Sequence, residues 1–422
     1  MRKLSPGLTV NNSGGAGKGS VILMGEDAWN PAGSAGFPEE LSPVAGKEGL
    51  GAFCFFSPFD DRTFPGNGYI TRNVCDDAAL FFHVTMNTNQ SLNSRGSHIA
   101  WVDFLRILAC FLVVLAHCCD PFVGSFDGSF NFKSAVFWGS LVRPCVPLFA
   151  MISGVLLFPV TLEMGAFYSR RLKRVLVPLI VWSLALPLLY FGYFDAGVQT
   201  SSPNIVMDTY TWSATVGKLY TFFFNFNYDT TPLWYVYMLV GLYLFMPIMS
   251  AWLTQARRKD VKIFLGIWIF SMTLPYIQML APALGYEGNY GNMGILGVCD
   301  WNPYGMFYNF SGFLGYMVLA HYLTKYPLAW SWKKTLSITI PFFLIGFAVT
   351  FFGFLETQKH FPGQYSKLEV LWYFSGINVF LMTFAIFTIV SRLRIKAGPV
   401  LSKVAALTFG VYLCHFFFVC MC

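Results

Sequence analysis

Residues 99–122 read IAWVDFLRILACFLVVLAHCCDPF, and the reading of this stretch decides the fold. It is apolar over the ~20 residues that a helix needs to cross a bilayer. Within the span, taken as 99–119, stand Asp103, Arg106 and His117. Ionisable groups at such depth cost about 2.5–3.5 kcal/mol each on insertion scales, so they face an interior or a cavity. Arg106 and His117 are eleven residues apart, which is three turns plus about 20°, so they share one face with roughly 16 Å between their heights. Asp103 precedes Arg106 by three, within ion-pairing reach. One stripe then places a cation near one mouth and an imidazole towards the other. In the competing reading Arg106 snorkels to the interface, Asp103 merely neutralises it, and His117 ends the helix in solvent. Spacing alone leaves both open.

The same composition recurs to the end of the chain. The 422 residues are 55% hydrophobic and 12% charged, where soluble domains carry about 25% charge. That excludes an ordinary cytosolic enzyme and a disordered chain. Residues 98–422 read as an all-α integral membrane bundle of about nine spans, near 99–119, 141–161, 175–194, 232–253, 261–280, 304–323, 335–355, 368–391 and 399–421. Loops 162–174, 254–262, 324–334 and 392–403 carry 15 Lys and Arg. The opposite side carries five: Lys133, Arg143, Lys218, Lys359 and Lys367. Positive residues stay inside, so a multi-pass inner (plasma) membrane protein with a cytoplasmic N-terminus is expected. The net charge of +7 comes from these loops, and no basic run is long enough to track a nucleic-acid backbone. The outer loops 195–231 and 281–303, rich in Gly, Asn, Tyr and Asp, are those expected to meet a polar acceptor.

Residues 1–97 lack sustained periodicity and a signal-peptide core, and are expected to be a mostly disordered extension. Met86, shortly before the first apolar run, is a candidate alternative start. Most cysteines lie in or beside apolar runs, where a thiol behaves as a small hydrophobe. No pair has zinc spacing, so no metal site is expected.

A second basic group, Tyr168-Ser169-Arg170-Arg171-Leu172-Lys173-Arg174, precedes the third span. Arg171 and Arg174 would share a helix face, and guanidinium forks suit phosphates. A plain positive-inside anchor explains the same cluster. Three further segments stand out: Val146-Pro147-Leu148-Phe149-Ala150-Met151-Ile152-Ser153-Gly154, Leu233-Trp234-Tyr235, and Phe409-Gly410-Val411-Tyr412-Leu413-Cys414-His415. Ser153-Gly154 also reads as a small-residue helix contact, and Trp234 and Tyr235 as an interfacial aromatic belt.

Taken in order, these segments resemble the membrane acyltransferase-3 family. Its signature is an Arg, ten residues and a His, which Arg106 and His117 fit. Arg171-x-x-Arg174 is similar to its second motif, and the three later segments resemble its PLF-x-x-SG, LWY and GIYL-x-H patterns. The likeness covers about 98–422 and is strongest to the branch that acetylates envelope glycans. Members continue past the terminal His through a further span, so a C-terminal truncation is expected.

The resemblance implies an O-acyltransferase that takes an acyl group, acetyl first, from acyl-CoA as co-substrate, with no bound cofactor. The acceptor would be a hydroxyl of an envelope polysaccharide or a lipid-linked saccharide. Arg106, Arg171 and Arg174 would bind the donor, His117 would act as base or transient acyl carrier, and Asp103 would hold Arg106. Ser153, Trp234, Tyr235 and His415 would line the site. The rival is a transporter or flippase whose Asp103, Arg106 and His117 line a path without covalent chemistry. A non-catalytic fragment or scaffold is the third reading.

Overall fold

The computed structural model describes residues 99–421 except 201, 203, 225–226, 286–295 and 298–301. The expectations for residues 1–97 and Met86 lie outside these. All regular structure among the described residues is helical. Helix α1, Ala100–Val123, is the span read from the opening stretch. Helices α2, Phe130–Leu141, and α3, Cys145–Leu157, form one 28-residue apolar segment broken at Val142-Arg143-Pro144. Pro144 accounts for the break, since it has no N–H for the helical ladder and disfavours helical geometry in the residue before it. Sequence reading places this span at 141–161. It starts earlier because the Ser129 hydroxyl accepts the Phe132 N–H and caps α2. Lys133 and Arg143, counted with the outer loops, therefore lie within a span.

The remaining helices are α4, Met164–Asp195; α5, Trp212–Thr221; α6, Trp234–Gln255; α7, Arg258–Ser271; α8, Leu274–Leu280; α9, Leu314–Lys325; α10, Trp332–His360; α11, Tyr365–Trp372; α12, Ile377–Val390; and α13, Pro399–Met421. Among the described residues eight segments are long and apolar enough to cross a membrane. The expected ninth, near 304–323, is the 12-residue α9 preceded by a 3₁₀ turn at Gly305–Phe310. At 1.5 Å per residue α9 alone is shorter than a ~30 Å hydrocarbon core, and the 3₁₀ turn before it completes the span. Gly315, Tyr316, Met317, Val318, Leu319 and Ala320 are all buried, as expected of a helix that is apolar on every side.

Backbones approach closely around α9. A Cβ at Gly154 of α3 would stand 2.3 Å from the Met317 carbonyl oxygen, and one at Gly315 would enter the Trp268 ring. Small residues permit this contact, and dispersion drives it. Buried amide chemistry joins α10, α11 and α12: Asn378 Nδ2 donates to Thr350 Oγ1 at 2.8 Å and to the Leu371 carbonyl at 2.6 Å. Large apolar side chains such as Phe111, Ile248, Ile345 and Phe352 are exposed, which suits helices solvated by lipid.

Helices α1 and α13 run side by side in parallel. Ser402 Oγ donates to Asp103 Oδ2 at 3.4 Å, Cys110 Sγ to the Thr408 carbonyl at 3.5 Å, and the His117 and His415 rings are 5.2 Å apart. Three contacts at nearly constant offset align the start of α13 with the start of α1. Both residues of its site motifs thereby fall on one seam.

Candidate functional site

The site residues collect at the two ends of this seam. At the first, Arg106 Nη1 lies 3.5 Å from Asp103 Oδ1, and the Asp103 carboxylate also accepts from Ser402. Asp103 is buried, whereas the Arg106 side chain keeps 28% of its exposure. The pair sits one helical turn apart, as spacing predicts. Arg171 and Arg174 come from the first turns of α4; Arg174 is exposed, and Arg171 is half-buried with its Nε lacking a hydrogen-bond partner among the described residues. Arg171, Arg106 and Arg174 all lie in the electrostatic surroundings of Tyr243, a half-buried residue of α6. Ser153 is within side-chain reach of both Tyr243 and Tyr235, and its hydroxyl donates to the Phe149 carbonyl at 3.0 Å. Its neighbour Gly154 makes the backbone contact with α9, so the Ser153-Gly154 pair combines packing with a polar edge.

At the second end His117 is held by a residue that the family motifs do not contain. His117 Nδ1 lies 2.8 Å from Asp120 Oδ2, one turn further along α1. A carboxylate can only accept there, so Nδ1 is the nitrogen that carries the proton, and a neutral ring has its lone pair on Nε2. The other carboxylate oxygen, Oδ1, is 4.0 Å from Arg143 Nη2. His415 is buried beside this pair, with Nδ1 2.7 Å from the Tyr412 carbonyl and Nε2 without a partner among the described residues. Phe416 closes edge-on against His117 at 5.2 Å. Trp234 stacks on Phe374 at 5.6 Å, and Phe374 lies 5.5 Å from the Arg143 guanidinium. The LWY tryptophan thus belongs to the wall of the imidazole end.

Between the ends the seam is filled. Val113, Tyr235, Leu239 and Tyr412 are buried together, with Leu112 and Phe149 packed against them. Tyr235 and Tyr412 meet at 5.6 Å, and the Tyr412 hydroxyl donates to the Pro232 carbonyl.

The structure therefore joins His117 to His415 and Asp103 to Arg106, and packs Tyr235 against Tyr412 and Phe149 in the seam. Asp103 is fourteen residues from His117, roughly 21 Å along the helix, so it serves Arg106 and not the imidazole. The carboxylate at His117 is Asp120. It escaped sequence reading because it falls beyond the assumed span end, although the His-x-x-Asp spacing was its signal. Arg143 escaped for a different reason: it lay at the edge of the expected span 141–161 but was counted as an outer-side charge, whereas it sits at the break within Phe130–Leu157. Among the described residues no three His, Cys, Asp or Glu stand together as a metal site would require.

Fold and site define a polytopic helical membrane protein with arginines gathered at one end and a carboxylate-held imidazole at the other. Residues 99–421 match the family model of the acyltransferase domain of the acyltransferase-3 type, and the chain belongs to that family. Membership supports a membrane acyltransferase. No curated protein and no solved structure matches the chain.

Proposed function

We propose that the protein is an integral-membrane O-acyltransferase of the inner membrane, N-terminus cytoplasmic, moving an acetyl group from acetyl-CoA to a hydroxyl of an envelope polysaccharide or lipid-linked saccharide. The observation that carries this reading is the Asp120-held His117, set on the same helix as an arginine that shares Tyr243 with Arg171 and Arg174. An alcohol keeps its proton at neutral pH, so its attack on a thioester needs a neutral base at hydrogen-bonding distance. His117 supplies that base through Nε2, and Asp120 steadies the imidazolium that forms. Arg171 and Arg174 hold the phosphates of the donor, with Arg106 drawing in the thioester arm and Asp103 positioning Arg106. Ser153, Tyr235 and Trp234 line the route, and His415 backs the imidazole. In this reading the arm has to cover roughly 16 Å along α1, through the packed layer of Leu112, Val113, Tyr235 and Leu239.

The test uses membranes carrying the full chain, radiolabelled acetyl-CoA and native envelope glycan. Label is expected in the glycan, is lost in His117→Ala with normal insertion, and needs a higher donor concentration in Arg171→Ala. Full labelling by His117→Ala, or movement of unmodified solute without label, overturns the reading.

A further inference from the structure

Arg143 stands at the break between α2 and α3, midway along the apolar segment Phe130–Leu157. An arginine at that depth is costly and by default functional. Its side chain is 12% exposed, and the guanidinium lies 3.9 Å over the Trp372 ring. Gly139 makes the approach possible: a Cβ there would sit 2.7 Å from Trp372 Cη2, and the Gly139 carbonyl accepts from Arg143 Nε at 3.2 Å. Stacking and one anchored nitrogen fix the plane of the fork. Neither terminal nitrogen makes a hydrogen bond among the described residues, since the nearer carboxylate contact, to Asp120, is 4.0 Å long. A rigid cation with donors in hand therefore flanks the same carboxylate that holds His117.

We propose that Arg143 is a catalytic residue of the transfer, its terminal N–H groups holding the oxyanion of the tetrahedral intermediate. The proposal rests on the transferase reading above. The acceptor oxygen attacks the thioester carbonyl carbon and forms the new C–O bond while its proton passes to His117 Nε2. The carbonyl electron pair moves onto oxygen, where Arg143 meets it. Collapse restores the carbonyl, breaks the C–S bond and returns the proton from His117 to the departing thiolate, giving an ester and free CoA. Preorganised donors aimed at developing charge in a water-poor site cost no reorganisation at the moment of reaction. The same chain, Trp372–Arg143–Asp120–His117, makes one rigid unit of the oxyanion donor and the base.

The experiment compares full-length wild type, His117→Ala, Arg143→Gln and Arg143→Ala in membranes with radiolabelled acetyl-CoA and native glycan. Arg143→Gln is expected to lower the rate at saturating donor about 10²–10³-fold. The half-saturating donor concentration and the pH of the acid limb should stay as in wild type, because an oxyanion donor acts on the intermediate alone. Should Arg143→Gln insert poorly, added guanidinium is expected to restore part of the rate to Arg143→Ala. A rate within about threefold of wild type overturns the proposal, as does a loss that disappears when the pH is raised, which assigns Arg143 to the charge state of the Asp120–His117 pair. If His117→Ala is inactive and Arg143→Gln is not impaired, the Arg143 role alone fails; if both are fully active, the transferase reading fails with it.

Discussion

At the scale of single residues, the pair His117 and Asp120 separates geometry from charge. Asp120→Asn keeps the shape of the carboxylate but offers an amide that can donate to Nδ1. The imidazole is then free to carry its proton on Nε2, where the base function needs a lone pair. The expected outcome is a fall of about 10²–10⁴-fold in transfer at saturating donor, with insertion and donor affinity unchanged. Measuring label transfer and donor binding side by side checks this, and equal losses in both would point instead to a misfolded seam. The legibility of these residues in the sequence was uneven for a physical reason. Arg106 and His117 announce themselves because eleven residues is close to a whole number of turns. Asp120 does not, because a charge just past an apolar run is indistinguishable from a loop charge until the run's true limits are known, and Arg143 does not, because the span expected at 141–161 begins at Phe130 and leaves it midway along. The Ser129 cap and the Pro144 break set those limits, and both are ordinary residues in loops as well.

At the scale of elements, the bundle depends on backbone contact around α9, which makes the ninth span a short buried helix preceded by a 3₁₀ turn. Length was what sequence reading could judge there, and residues 304–323 are apolar enough to suggest a crossing. Its apolar surface packs on every side, against Trp268 and against α3. Gly154→Val tests this contact. Its first added carbon would stand 2.3 Å from the Met317 carbonyl, a distance that flexible side chains cannot relieve. The α3–α9 pair must separate, at an expected cost of about 1–3 kcal/mol for overpacking. Thermal denaturation in detergent should show the loss. An unchanged melting temperature would mean that α3 and α9 are not in backbone contact. Because Ser153 adjoins Gly154 and reaches Tyr235 and Tyr243, the same variant should also weaken donor use, tying packing to the arginine end.

At the scale of the whole molecule, the two chemical ends imply a direction. The starts of α4, α7, α10 and α13 and the ends of α9 and α12 gather the basic side chains, and there Arg258 Nε donates to the Tyr322 hydroxyl at 3.2 Å. The imidazole end carries Ser125 and the turn after α1. An acyl-CoA made in the cytosol can be used only if the arginine end faces it, and basic loops are retained on that side during insertion. In the proposed reaction the acceptor hydroxyl would meet His117 from the far side of the packed layer around Tyr235 and Tyr412. Orientation is thus a condition of the mechanism. It is checked with Lys259→Cys and Ser125→Cys, both at exposed positions, in a background without the native thiols. Sealed right-side-out vesicles treated with a membrane-impermeant maleimide should label Ser125→Cys directly and Lys259→Cys only after permeabilisation. The reverse pattern would present Arg106, Arg171 and Arg174 to the compartment that holds no CoA, and the donor-binding role of all three would fall together.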